Sequence, residues 1–144
     1  MINPIFSFVF ALLFLFAATG KANAQDIVQK VELKIDPFFR DHPKFDPMED
    51  LDSASITVLI NDSELKGLSN DQFYQELQSK DKKAIEDIAT DYRVRCTIYL
   101  LSGKKEVLYL NVFGEFLYEG KTYTDAQIKK FVFEHIPEAY RHGF

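Results

Sequence analysis

Two alternating runs between Arg93 and Phe113 carry the clearest pattern in the chain. Val94, Cys96, Ile98 and Leu100 alternate with Arg93, Arg95, Thr97 and Tyr99, the period of two of a half-buried strand. Leu108, Leu110 and Val112 alternate in the same way with Val107, Tyr109, Asn111 and Phe113. The short Ser102-Gly103-Lys104-Lys105 connection between them predicts a hairpin. An odd number of loop residues sets both aliphatic rows on one face and gathers Arg93, Arg95, Thr97, Tyr99, Tyr109 and Asn111 on the other. A two-residue loop would instead bury Asn111 beside Cys96. Register follows the buried pattern, so the odd loop is expected.

The flanking segments extend this core. Ile27 to Asp36 alternates at Val31, Leu33 and Ile35 against Glu32 and Lys34, which predicts a strand at an edge. Ser55 to Asn61 carries Ile56, Val58 and Ile60 on one side and Leu59 on the other, which predicts an interior strand. Ser69-Asn70-Asp71-Gln72 is a capping box with Leu68 and Phe73 as its hydrophobic staple, so a helix starts at Asn70 with Phe73 and Leu77 inward. Lys80 to Lys83 carries no apolar residue, and the pattern resumes at Ala84, Ile85, Ile88 and Ala89. The reading is one helix of about five turns, or two with a break near Ser79 to Asp81.

Beyond the hairpin, Gly114 allows a bend, and Glu115 to Tyr118 predicts a short strand turning at Glu119-Gly120. Thr124-Asp125-Ala126-Gln127 repeats the capping box, with Tyr123 and Ile128 as staple. The last helix buries Ile128, Phe131, Val132 and His135 or Ile136, and Pro137 ends it. The remaining EAYRHGF tail is expected to be loosely held. The order β-β-α-β-β-(β)-α predicts an α+β domain, a mainly antiparallel sheet with two or three helices packed on one side.

One long segment breaks the alternation. Residues 36–52, DPFFRDHPKFDPMEDLD, contain Pro37, Pro43 and Pro47, which exclude regular structure. Phe38, Phe39 and Phe45 argue that the segment is pinned to the domain. Long irregular segments inside compact domains are often functional, so Phe38, Phe39, Arg40, His42 and Phe45 are the predicted binding residues. The Arg93, Arg95, Tyr99 and Tyr109 face is expected to assist, since Arg and Tyr are enriched at interface hot spots.

The first 24 residues stand apart. Ile5 to Ala18 is an apolar run followed by Ala22-Asn23-Ala24, the pattern of a cleavable secretory signal, although the leading MINP has no Lys or Arg. The run is too short for a good membrane span. Cleavage after Ala24 predicts a secreted or periplasmic protein whose residues 25–144 form one domain. Lys21 leaves with the signal, and the 16 basic and 22 acidic side chains that remain carry a formal net charge of −6. That balance argues against nucleic acid and, after cleavage, against a membrane as partner. Cys96 is the only cysteine and reads as a small buried hydrophobe.

Candidate chemistry is sparse. Gly120-Lys121-Thr122 resembles the end of a phosphate loop, but the first glycine of that motif would fall on Glu115. Ser79 and Lys82 match S-x-x-K without the partner motifs S-D-N and K-T-G. Asn61-Asp62-Ser63 fits a glycosylation triplet that is common by chance. Asp41, His42, Asp46, Glu49, Asp50 and Asp52 make the long segment acidic, but it lacks the glycine of a calcium loop, and His42, His135 and His142 have no zinc-ligand spacing. No cofactor and no metal are expected. Adjacent Asp41 and His42 point apart in an extended stretch, and no nucleophile motif is present.

The expectation is therefore an exported, small, non-catalytic domain that binds another macromolecule, with a protein as the expected partner, in one version as an acidic inhibitor or immunity-type partner of a basic secreted protein. A small secreted hydrolase with a site near His42 and a self-associating structural subunit, a homo-oligomer, are the alternative readings.

Overall fold

The computed structural model of the 144-residue chain describes residues 26–39, 51, 56–61, 68–86 and 91–141. The segment 1–24, the side chains of Arg40, His42 and Phe45, and most of the acidic stretch lie outside the described residues.

The elements in chain order are β1 (Val28–Ile35), β2 (Ile56–Ile60), α1 (Asn70–Gln78), β3 (Lys83–Ile85), β4 (Tyr92–Leu100), β5 (Lys105–Asn111), β6 (Phe116–Tyr118), β7 (Lys121–Thr124), α2 (Ala126–Glu134) and α3 (Glu138–Arg141). The strands form one antiparallel sheet in the order β2-β1-β4-β5-β6-β7-β3, an α+β architecture. The central hairpin has the odd loop. Tyr99 pairs with Lys105, and the Leu100 N–H donates to the Lys104 carbonyl at 3.0 Å, which leaves residues 101–103 as the loop. Gly103, at φ 87°, donates its N–H to the Leu100 carbonyl at 2.9 Å. A three-residue loop with glycine in the left-handed region is a favoured hairpin closure. Val94 opposes Leu110, and Cys96 opposes Leu108.

The aliphatic rows of β1, β4 and β5 point to one face and join Phe73, Leu77, Ile128, Phe131 and Val132 of α1 and α2 in a single core. Phe73 stacks on Phe131 with centroids 4.0 Å apart and planes 12° apart, which locks the two helices together. Ser69 caps α1 in a reciprocal capping box with Gln72, as the sequence predicts. Asn70 donates its side-chain N–H to the Ile60 carbonyl at 3.0 Å, tying the start of α1 to the end of β2.

Several expectations are corrected. β1 is interior, between β2 and β4, and β2 is a terminal strand. Leu59, whose apolar character argued for an interior place, is 52% exposed on the outer side of that strand. The first helix does not resume after Ser79. Ser79 caps it in an extended conformation and its hydroxyl accepts from the Asp81 N–H at 3.0 Å. Lys80 to Lys83 offer no apolar stripe to bury, and Ala84 and Ile85 instead form β3 against β7, while Ile88 and Ala89 lie outside the described residues.

The cap of α2 is Asp125, one residue later than the box predicts, with its carboxylate accepting from the Gln127 and Ile128 N–H groups at 2.8 and 3.0 Å. Of the two choices at its end, Ile136 is buried and His135 is half-buried. The tail is held as far as Arg141: α3 forms after Pro137, and the Tyr140 carbonyl accepts from the Phe38 N–H at 3.1 Å.

Candidate protein-binding face

Strand register sets alternate side chains of β1, β4 and β5 on the face opposite α1 and α2. One cross-strand row runs Lys34, Arg95, Tyr109, Leu117. The next holds Glu32, Thr97 and Val107, and the third holds Lys30, Tyr99 and Lys105. The first row is partly covered, because Leu51 packs with Tyr92, Tyr109 and Leu117 in a second small cluster. Tyr92 and Tyr109 have ring centroids 5.9 Å apart there.

At the third row, two rows and roughly 14 Å of strand away from Tyr109, the chemistry changes. The Lys30 Nζ lies 4.3 Å from the centroid of the Tyr99 ring, and the Lys105 Nζ lies 5.1 Å from it. The ring is half-buried between strands that each contribute one ammonium. The ring quadrupole attracts each cation and so offsets part of their mutual repulsion. Nearby, the Leu101 N–H donates to the Ile27 carbonyl at 2.8 Å, bringing together residues that are 66% and 54% exposed. The row is therefore cationic, aromatic and bordered by aliphatic surface.

The predicted site residues fall into three groups. Arg95, Tyr99 and Tyr109 share the outer face, half-buried. Phe39 is 59% exposed at the end of β1, whereas Phe38 beside it is buried edge-on against Phe133, centroids 5.6 Å apart, and serves as an anchor within the core. Arg93 is also buried. The β4–β5 register slips between Tyr92 and Val94, and the Arg93 guanidinium turns to Asp36 at 3.2 Å, the Pro37 carbonyl at 3.0 Å and both carboxylate oxygens of Asp91 at 2.8 and 3.1 Å. Arg40, His42 and Phe45 lie outside the described residues.

Lys30 and Lys105 were not among the predicted site residues. Their alternation marks them as outward, but their meeting on Tyr99 depends on the pairing of β1 with β4, which local patterns do not carry.

The helix-covered face holds a buried polar network around Glu106. Glu106 alternates in phase with Leu108 and Leu110 and so projects inward opposite Ile98. It accepts from the Tyr118 hydroxyl at 3.0 Å and pairs with Lys104, while the Gln78 amide donates to the Tyr118 oxygen at 2.8 Å. Burial, and then the Glu106 charge, hold the phenols of Tyr74 and Tyr118 above the ordinary tyrosine value. One Glu106 oxygen thus accepts from the Tyr118 hydroxyl, and the other faces the Lys104 ammonium in an ion pair.

Cys96 is fully buried, and burial pushes its thiol far above the usual range, so it is no nucleophile in the folded state. His135, the one histidine among the described residues, donates its Nδ1 proton to the Phe131 carbonyl at 2.7 Å. A depression of about 30 Å³ beside α2, lined by Leu68, Gln127, Lys130, Phe131 and Glu134, has room for a water or two. Among the described residues no group of three or more His, Cys, Asp and Glu is placed to hold a metal ion. Comparison with protein-family models, with curated proteins and with solved structures finds no match to the chain.

Proposed function

We propose that the chain is an exported, non-catalytic domain that binds another protein through the outer face of its sheet, with Tyr99 at the centre of the contact. Export rests on the apolar run and Ala-Asn-Ala site of residues 1–24, which also make the secreted or periplasmic space its place of action. The observation that carries the binding reading is the Lys30–Tyr99–Lys105 row on the face opposite the helices. A half-exposed aromatic ring held by neighbours presents rigid contact area at low entropic cost, which is why such rings dominate interface energetics. Arg95 and Tyr109, half-buried on the first row, extend the same surface.

The test is affinity capture from the extracellular fraction of the source organism, using wild type, Tyr99→Ala and Phe113→Ser. Phe113 is 68% exposed in the turn after β5, and its replacement controls for nonspecific apolar capture. A partner retained by wild type and Phe113→Ser and lost by Tyr99→Ala supports the reading. A partner retained equally by all three removes the outer face from it.

A specific observation favours self-association as a second reading. β2 ends the sheet with Leu59 exposed, and none of its five residues is a proline or a charge that would guard an edge. A native mass spectrum showing a dimer that Val58→Pro abolishes would select this reading; a monomer at all concentrations would reject it.

A further inference from the structure

Resting on the outer-face reading, we infer that the Lys30–Tyr99–Lys105 row is a docking site for an acidic, aliphatic-bearing peptide segment of the partner protein. Two ammonium groups converge on one ring from strands on either side of it. Among the described residues neither lysine has a carboxylate within ion-pair distance; Lys104, next along the chain, is already paired with Glu106 on the other face. The one carboxylate on this face of β1, Glu32, belongs to the next row, opposite Thr97. The row thus concentrates like charge, and a carboxylate on the partner relieves the repulsion that the ring only partly offsets.

Net charge alone points the other way, since the whole chain carries −5 and would steer a basic partner toward it. Distance decides between them. The screening length is about 8 Å at physiological ionic strength, so charges in direct contact with a docked segment outweigh those on the far side of the domain. The negative net charge instead discriminates among anions. Nucleic acid and anionic bilayers present dense charge over areas larger than this row, and meet the repulsion of the whole domain.

Geometry narrows the segment. β1 and β5 lie either side of β4, about 10 Å apart, and alternate residues of an extended peptide are about 7 Å apart. Carboxylates at positions i and i+2 therefore come within reach of two flexible lysine stems. The exposed Ile27 and Leu101 at the same end offer apolar surface to an adjoining aliphatic residue.

The test is an amide-shift titration of residues 25–144 with three probes: a peptide alternating Glu with Leu, the same peptide with Lys in place of Glu, and a single-stranded oligonucleotide. The expected result is shifts at Lys30, Tyr99 and Lys105 with the Glu peptide only. Binding should weaken about tenfold in Lys30→Gln/Lys105→Gln and vanish near 1 M salt, where the screening length is about 3 Å. Because Gln keeps the stem and loses the charge, an unchanged spectrum elsewhere shows that the variant folds. Binding of the Lys peptide at Tyr99 would overturn the acidic assignment and leave the outer-face reading standing. Equal shifts at Lys121, Lys129 and Lys130, or binding of the oligonucleotide at the row, would overturn the segment assignment. No shift on the outer face with any probe overturns this inference, whereas the outer-face reading stands or falls on the capture experiment.

Discussion

Arg93 and Asp36 meet at 3.2 Å with 6% and 1% of their side chains exposed, so an ion pair, and not a contact surface, is what the start of β4 builds. The arginine also draws on Asp91 and the Pro37 carbonyl, and the Arg93 carbonyl accepts from the Asp36 N–H at 2.8 Å. Asp91 reaches it from a left-handed backbone with φ 60°, a conformation Asp tolerates better than most residues.

Removing one partner of such a pair strands the other's charge out of water. Arg93→Met should therefore destabilise the domain by about 3–5 kcal/mol. Chemical denaturation reads this as a lower midpoint at unchanged slope. Adding Asp36→Asn should recover part of the loss, because the stranded carboxylate is then gone.

The buried phenols set an alkaline limit. Burial raises Tyr74, Tyr92 and Tyr118 above the ordinary value, with the Glu106 charge adding to the first and last. Unfolded phenols lose their protons near pH 10 while the folded ones still hold theirs, so the folded state carries more protons there. Their contribution is full below about pH 10 and is lost as the pH rises beyond it. Denaturation midpoints should be flat from about pH 8 to 9.5 and fall above that. Tyr118→Phe should cost about 1 kcal/mol at neutral pH through its bonds to Glu106 and Gln78, and should make the alkaline fall shallower.

Cys96 should be silent to thiol reagents in the native domain. It lies in the core between Leu33 and Leu108, its neighbours in register on β1 and β5. Labelling should proceed only through opening of the central strands, at a rate that denaturant accelerates in step with global unfolding. Prompt labelling in buffer would place the thiol at the surface and contradict the core.

The central hairpin was legible in the sequence because its information is local. Alternation at Val94 to Leu100 and at Leu108 to Val112 determines the register once both rows must be buried, and the capping box at Ser69 marks a helix start by its own hydrogen bonds. β3 and β7 were not legible. Three and four residues cannot display a period, and Ala84 and Ile85 fit either element until their pairing with Tyr123 and Thr122 decides. The order of β1 and β2 escaped for a related reason, since an exposed Leu59 and a buried one look alike in sequence.

Of the candidate site, the Arg95, Tyr99 and Tyr109 face follows from alternation alone, while two of its neighbours do not. Arg93 leaves that face through a register slip that alternation cannot show. Lys30 reaches Tyr99 only through a pairing between segments almost 70 residues apart in the chain.

The most direct measurement of the central claim is a photocrosslinking comparison, with benzoylphenylalanine placed at position 99 on the outer face or at Gln75 on the exposed side of α1. Irradiation in the extracellular fraction of the source organism should give a discrete protein adduct from position 99 and none from position 75. An adduct from position 75 with none from position 99 would contradict the account, because contact would then run through the helices and not the sheet.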